Sequence, residues 1–331
     1  MTLRYQLRMC GLVALAAIAG AQHQSCRAQG TTGPTTGPRL FAPGVISGAA
    51  DELSPAFSPD GRSVYFTRGN PSASTIMTST LVDGHWSVPE IAAFSGKWND
   101  FEASMAPDGS FLVFASNRPS VGTSAAIDGV FNGKSFPGLG GNLWRVDRLG
   151  NGWGEPTRLP ETINVSNAVF SPSISADGSI YFMRPDDKTG NFHLYRSQRQ
   201  AGAYLAATAV GVGDSTTEDV DAAVAPDESF MVYSSNHPGK GPKRLHIVFG
   251  TRGVWGTPVD LGDDVNEAGS NIEARLSPDH RLLYFSTNTV PPVSFPRSVE
   301  RTRRDLSELQ VWANGRQNIW FVSLEHWLDK K

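Results

Sequence analysis

Short apolar runs alternate with polar turn residues along this chain, and one arrangement of the two recurs five times. The first copy, SPAFSPDGRSVYF, begins at Ser54. The turn aspartate of successive copies falls at Asp60, Asp108, Asp177, Asp227 and Asp279, so the copies are 48, 69, 50 and 52 residues apart. A spacing of about 40 to 50 residues between strand-rich units predicts the blades of a β-propeller.

Each copy predicts a blade of four antiparallel strands. An inner strand such as EASMA leads through Pro-Asp-Gly to a second strand, FLVFAS. Proline and glycine fit defined turn positions, and the aspartate side chain can cap the turn backbone. A third strand follows in all five copies. In four copies a fourth strand follows, with an aromatic residue near its start. Three of these fourth strands contain proline, which predicts that they lie at the outer edge of the blade.

The fifth copy ends without a fourth strand. The segment RLFAPGVIS, from Arg39 to Ser47, carries a matching pattern and is expected to complete the last blade. We therefore predict an all-β fold: a five-bladed β-propeller of four-stranded antiparallel blades, its ring closed by the N-terminal strand. The longest gap could hold a sixth blade, but its excess, Pro119 to Gly141, is mostly Gly, Ser and other turn formers and predicts a loop.

The N-terminal residues differ in composition from the rest. Arg4 and Arg8 precede an apolar run from residue 9 to residue 21, which predicts a cleaved secretory signal peptide over residues 1–28. Residues 29–38 predict a flexible linker, and residues 39–331 a single propeller domain.

Two cleavage sites are open, after Ala21 or after Ala28. The second is preferred because it removes both cysteines, Cys10 and Cys26, and leaves no odd thiol in an oxidising compartment. Lipid anchoring at Cys26 is not expected, because neither cysteine follows the small-residue stretch that such sites need.

The charge and hydropathy of the chain restrict the classes of partner that it is expected to bind. The net charge of −3 gives no electrostatic case for nucleic acid. Beyond the signal peptide no segment is apolar and long enough to span a bilayer, so no transmembrane segment is expected in the mature chain. We expect an exported monomer in the periplasm or outside the cell.

The units SPDGRSVYFTRGN, APDGSFLVFASNRP and SPDHRLLYFSTN resemble the TolB-type, WD-repeat-like β-propeller repeat of exported bacterial proteins. GGNLWRV resembles the segment that often follows it, with Asn142 in the position of an aspartate. The resemblance covers residues 39 to 327. It implies a propeller that serves as an adaptor, as a carbohydrate or peptide binder, or as a non-catalytic domain.

Two polar columns appear when the copies are aligned on the turn aspartate. Six residues before it stand Ser54, Glu102, Ser171, Asp221 and Glu273, and eight before it stand Glu52, Asp100, Val169, Asp219 and Asn271. Since side chains alternate along a strand, we expect both columns to share one face and line the central channel near one mouth. Candidate ligand-binding residues are Glu102, Asp221, Glu273, Asp100 and Asp219, with Arg275 as a counter-charge. The same acids could instead be solvated or could bond turn N–H groups.

Two long insertions are expected around that mouth, because both join the second and third strands of a blade. They run from Pro119 to Gly141 and from Thr289 to Gln317. The second carries Arg297, Arg301, Arg303 and Arg304, followed by a predicted short helix, DLSELQVWA. Its Trp312 is the aromatic residue expected to contact a ligand. Long loops with convergent polar groups on a rigid ring predict a binding face.

The leading functional hypothesis is therefore a non-catalytic module that binds an unknown protein or peptide at this mouth. The alternative is a carbohydrate-active propeller that binds or hydrolyses a glycan with its channel carboxylates. No catalytic residue, cofactor or metal is assigned. The seven histidines lack zinc-ligand spacing, and the acidic loops lack the calcium-loop spacing.

Overall fold

Each of the five repeats forms one antiparallel sheet, and the sheets are the blades of an all-β propeller, as predicted. The computed structural model describes residues 37–329 except 71, 120–123, 132, 214–215, 237–240, 252, 267–268, 291–292 and 313. The predicted signal peptide and all but the last two residues of the predicted linker lie outside the described residues.

The chain enters through a short strand, β1 (Arg39–Leu40), before blade 1. Blade 1 contains β2 (Asp51–Phe57), β3 (Ser63–Gly69), β4 (Thr75–Val82), β5 (His85–Trp86) and β6 (Glu90–Ile91). Blade 2 contains β7 (Asp100–Met105), β8 (Phe111–Ser116), the hairpin β9 (Gly129–Phe131) and β10 (Lys134–Phe136), β11 (Asn142–Leu149), β12 (Gly152–Trp153) and β13 (Thr157–Arg158).

Blade 3 contains β14 (Phe170–Ile174), β15 (Ile180–Pro185), β16 (Phe192–Ser197), β17 (Arg199–Gln200), β18 (Ala203–Tyr204) and β19 (Thr208–Ala209). Blade 4 contains β20 (Asp219–Val224), β21 (Phe230–Ser235), β22 (Arg244–Thr251), β23 (Val254–Trp255) and β24 (Val259–Asp260), followed by α1 (Asp263–Asn266). Blade 5 contains β25 (Ile272–Leu276), β26 (Leu282–Thr287), α2 (Val299–Leu309) and β27 (Asn318–Ser323), and α3 (Glu325–Leu328) follows it.

The outer strand of blades 1, 2 and 4 is interrupted. Two short pieces, such as β5 and β6, pair with opposite ends of the third strand. Pro89, Pro156 and Pro258 lie between the pieces, where the missing N–H removes no ladder bond. The predicted fourth strands are therefore present, each as two segments.

The hydrophobic core lies between blades rather than within one blade. Five clusters of buried apolar side chains each join two neighbouring blades around the ring. Trp86, Trp153 and Trp255, the aromatic residues at the start of three fourth strands, pack against these cores. Trp153 of blade 2 lies edge-on to Tyr65 of blade 1, with ring centroids 5.6 Å apart. The Trp153 indole N–H also donates to the Tyr65 hydroxyl at 3.0 Å. Stability of each blade therefore depends on its neighbours.

The turns carry the predicted aspartate caps. Each turn aspartate accepts the backbone N–H two residues later, at 2.8 to 3.1 Å. In blade 1 the Ser58 hydroxyl and the N–H of Arg62 hold the pKa of Asp60 below its usual value. The turns define one face of the ring, called here the turn face.

The two insertions leave from the opposite face, called here the insertion face. Ser116 at the end of β8 pairs with Asp100 at the start of β7, and Ser286 of β26 likewise pairs with Ile272 of β25. The predicted helix is present but its position was wrong, since α2 begins at Val299 rather than near Asp305. The Ser298 hydroxyl caps this earlier start by accepting the N–H of Arg301 at 3.1 Å.

Strand β1 lies in the last blade and pairs antiparallel with β27, Arg39 opposite Phe321. The next residue, Phe41, is 7% exposed and packs edge-on against Tyr284 of blade 5 with centroids 5.2 Å apart. It also contacts Phe57 and Trp86 of blade 1. That this segment holds the ring closed remains a prediction.

We expect Phe41→Ala to lower the free energy of unfolding by about 3 to 5 kcal/mol, because it removes a buried ring shared by the first and last blades. Leu306→Ala, which truncates a half-exposed side chain on α2, is the control. Urea unfolding of both variants measures the difference. Equal stabilities would show that the N-terminal segment does not hold the ring closed.

Candidate functional site

A left-handed residue interrupts every inner strand at the same position. Ser54, Glu102, Ser171, Asp221 and Glu273 have φ values of 53°, 55°, 49°, 57° and 59°. Each lies within a register shift between the first and second strands of its blade. Such a bulge breaks the alternation of side chains along the strand, so a residue beyond it no longer follows the period of two.

One hydrogen bond near these bulges joins each pair of neighbouring blades. The backbone N–H groups of Glu102, Ser171, Val224 and Glu273 donate to Thr67 Oγ1, Glu102 Oε2, Ser173 Oγ and Asp221 Oδ2, respectively. The Ser54 hydroxyl donates to Glu273 Oε2 at 2.6 Å and joins the first blade to the last. The five bonds together run around the ring.

Three carboxylates from blades 2, 4 and 5 meet in the channel. Glu102, Asp221 and Glu273 each offer a carboxylate oxygen, and the three oxygens lie within 4.8 Å of one another. The side chains are 8%, 3% and 6% exposed. Arg275 Nη2 lies 3.3 Å from Glu273 Oε2, so the predicted counter-charge is present. This group of residues is called the channel cluster below.

Burial and mutual repulsion disfavour ionisation of two acids of the channel cluster. Burial, and then the charges of Glu273 and Asp221, raise the pKa of Glu102 well above its usual value. Burial and the charge of Glu273 raise the pKa of Asp221 to about 7, although Arg275 opposes this shift. Glu102 and Asp221 therefore bind protons more readily than exposed carboxylates do.

Asp100 and Asp219 do not join the channel cluster, so the expectation that both columns share one face is wrong. The bulge separates the columns, and Asp100 turns into its own blade. It accepts the Ser116 hydroxyl at 2.7 Å and Arg118 Nε at 3.1 Å. Glu52 makes the equivalent pair with Arg68 at 3.0 Å.

Asp219 instead lies at a cavity on the insertion face. Its Oδ2 accepts the Thr217 hydroxyl at 2.8 Å and lies 3.6 Å from His193 Nδ1. The cavity measures about 290 Å³ and also contains Asp186, Lys188 and Thr189. Trp312 is half-buried, its backbone N–H donates to the carbonyl oxygen of Glu308, and it lines none of the cavities described here.

A larger cavity adjoins this one. It measures about 600 Å³ and lies between the blade 2 insertion and the β15–β16 loop of blade 3. Its lining includes Val130, Val165, Arg184, Asp187 and Lys188. The two cavities share the loop residues Asp186, Lys188 and Thr189, and together they are called here the blade 3 groove.

Sequence reasoning missed the blade 3 groove. The segment RPDDKTGN, which begins at Arg184, is one of the acidic loops that lack the calcium-loop spacing, and it joins the second and third strands of its blade. The topology that places both insertions on this face also places this segment there. Its four charged residues, Arg184, Asp186, Asp187 and Lys188, were the available signal.

A third cavity opens on the turn face. It measures about 250 Å³ and is ringed by the turn prolines Pro59, Pro107, Pro226 and Pro278. Ser104, Ser173 and Arg275 also line it, each two residues beyond a left-handed residue. This funnel leads toward the channel cluster.

The fold and these sites define a five-bladed β-propeller with a buried acidic channel. No protein-family model matches the chain, and no curated protein matches it. Among solved structures it is similar to TolB from Acinetobacter baumannii, with 15% identity over 83% of this chain and a TM-score of 0.48. The match spans 55% of that TolB chain, so this chain covers little more than half its length.

Two further structures are similar to the chain. One is a putative TolB from Agrobacterium tumefaciens, with 14% identity over 83% of this chain and 91% of that chain, and a TM-score of 0.46. The other is a thermostable family-43 glycoside hydrolase, with 11% identity over 76% of this chain and 87% of that one, and a TM-score of 0.48. At these identities the likeness concerns the fold alone.

The channel cluster should make the protein less stable as pH rises. The folded state holds protons on Asp221 up to about pH 7, whereas the unfolded chain releases them near pH 4. The free energy of unfolding therefore falls as pH rises from 4 to 7. We expect Asp221→Asn to make the free energy of unfolding less dependent on pH. At pH 8 in metal-free buffer, the variant's free energy of unfolding should exceed that of the parent by on the order of 2 kcal/mol.

Urea unfolding at pH 5 and pH 8 measures this effect. Glu90→Gln, which neutralises an exposed carboxylate on β6, is the matched control and should follow the parent. Parallel pH dependences for the parent and Asp221→Asn would contradict the raised pKa of Asp221.

Proposed function

We propose that this protein is an exported, non-catalytic propeller that binds a peptide segment of a partner protein in the blade 3 groove. The observation that carries the proposal is that two neighbouring cavities on the insertion face share the loop residues Asp186, Lys188 and Thr189. Two adjoining cavities suit successive side chains of an extended peptide that crosses this loop.

The chemistry of the groove supports a peptide ligand. Val130 and Val165 expose 55% and 53% of their surface and offer apolar contact. Arg184 and Lys188 lie beside Asp186 and Asp187, so side chains of either charge find a partner. Arg184 is held in place by stacking on Tyr195, with its guanidinium carbon 3.9 Å from the ring centroid.

The burial of the channel cluster favours binding over glycan hydrolysis. Glycosidases place two carboxyl groups about 5 to 9.5 Å apart on either side of an accessible sugar. Here the side chains of Glu102, Asp221 and Glu273 are nearly fully buried, so no sugar can reach between them. None of the three lines any of the cavities described above.

Export is part of the same proposal. A signal peptide over residues 1–28 would leave a mature chain that begins at Gln29, with a linker to residue 38 and a propeller from residue 39 to residue 331. Among the described residues, no helix has the length and apolar character needed to cross a membrane. The proposed product is a monomer that meets its partner in the periplasm or outside the cell.

The test uses a peptide selected from a random displayed library against the full chain, with its affinity measured by fluorescence anisotropy. Lys188→Glu reverses an exposed charge in the blade 3 groove and should weaken binding at least tenfold. Arg62→Glu reverses an exposed charge on the turn face and should leave the affinity unchanged.

Equal affinities for both variants would reject the groove as the peptide site. A parallel panel of oligosaccharides tests the alternative function. Glycan binding or hydrolysis that is lost in Glu102→Gln and kept in Lys188→Glu would replace the peptide proposal with a carbohydrate-active one.

A further inference from the structure

We propose that the channel cluster binds one calcium ion, held by the carboxylates of Glu102, Asp221 and Glu273. This site lies in the central channel and is separate from the blade 3 groove. It also differs from the expectation that the chain has no metal site. That expectation rested on ligand spacing within single loops, whereas these ligands come from three different blades.

The separation of the three oxygens suits a calcium ion. Calcium takes oxygen ligands at about 2.3 to 2.6 Å, so two ligands on opposite sides of the ion lie up to about 5 Å apart. The three carboxylate oxygens lie within 4.8 Å of one another. Small side-chain rotations would bring all three onto one ion, and water can fill the remaining positions.

The charge of the channel cluster calls for a divalent ion. When all three carboxylates are ionised, as ligands of a metal ion are, they carry three negative formal charges, and Arg275 compensates one of them. Lys243 also influences Asp221, but its ammonium group is paired with Glu218 at 2.8 Å. Two negative charges therefore remain in a buried site, where uncompensated charge is unfavourable.

Two buried oxygens without a partner point to a ligand independently of this charge. Asp221 Oδ1 and Ser171 Oγ have no hydrogen-bond partner among the described residues. Their residues are 3% and 0% exposed. Buried polar atoms are normally satisfied, and a bound cation would satisfy both.

Ser171 occupies the same level of its inner strand as the three acids occupy in theirs. It occupies the left-handed position in blade 3 that Glu102 occupies in blade 2. Its backbone N–H also donates to Glu102 Oε2 at 2.6 Å. Ser171 Oγ is therefore the natural fourth protein ligand, since hydroxyl and carboxylate oxygens are both hard donors.

The turn-face funnel lies next to the site. Its wall contains Ser104, Ser173 and Arg275, which follow Glu102, Ser171 and Glu273 by two residues along the same inner strands. Entry of an ion from this side would pass Arg275, which contacts Glu273.

The test is calorimetric titration of CaCl₂ into the metal-stripped full chain at pH 8. We expect one ion per chain, and at least tenfold weaker binding to Asp221→Asn. Glu90→Gln, the exposed control on β6, should bind as the parent does. Mg²⁺ should bind more weakly, because it demands shorter bonds and gives up its water reluctantly.

Thermal unfolding distinguishes a loss of calcium binding from a loss of folding in the variant. Without metal at pH 8, Asp221→Asn should unfold at a higher temperature than the parent, because it removes repulsion. Millimolar Ca²⁺ should raise the parent's unfolding temperature and reverse this order. A variant that is folded and more stable cannot lose calcium binding by unfolding.

Absence of calcium binding to the parent, or equal binding to Asp221→Asn, would overturn the proposal. Mg²⁺ binding as tight as Ca²⁺ binding would overturn the assignment of calcium. These outcomes do not depend on peptide binding, which the Lys188→Glu variant tests at a different face.

Discussion

The bulge in every inner strand is the feature on which the rest of the channel depends. A left-handed conformation costs a residue other than glycine on the order of 1 to 3 kcal/mol, so five such residues need compensation. The compensation lies at the blade boundaries. One hydrogen bond joins each neighbouring pair of blades near the bulge, and one apolar cluster packs behind it. Local strain is thereby tied to closure of the ring.

The same backbone device carries different chemistry in different blades. Blades 1 and 3 place Ser54 and Ser171 at the left-handed position, and both take part in hydrogen bonds between blades. Blades 2, 4 and 5 place acids there, and the fold brings the three acids together against Arg275. The repeats are regular in backbone but differ in side chains, so they enclose an asymmetric site with a net negative charge. The peptide groove proposed here lies elsewhere, on the outer loops of the insertion face. Recognition and ion binding are therefore assigned to different parts of one rigid ring.

The sequence predicted the parts of the fold that depend on local pattern. The spacing of Asp60 and its equivalents gave the number of blades, and the prolines marked the outer strands. The same spacing brought Glu102, Asp221 and Glu273 together. The sequence pattern could not reveal the bulge, because serine and glutamate are not typical of a left-handed backbone conformation. Without a bulge, side chains are expected to alternate regularly along the strand. Asp100 was therefore placed in the channel, whereas it pairs with Arg118 inside its blade. The blade 3 groove was missed because it depends on a hairpin of blade 2 lying beside a loop of blade 3.

A crystal structure of the chain grown in Ca²⁺ tests the central claim most directly, because it measures where the three inner strands place their carboxylates. The account predicts one ion in the channel, with oxygens of Glu102, Asp221 and Glu273 at about 2.3 to 2.6 Å from it. It also predicts left-handed backbones at these three residues. Carboxylates that point away from one another, or an ion bound only by other residues, would contradict the account.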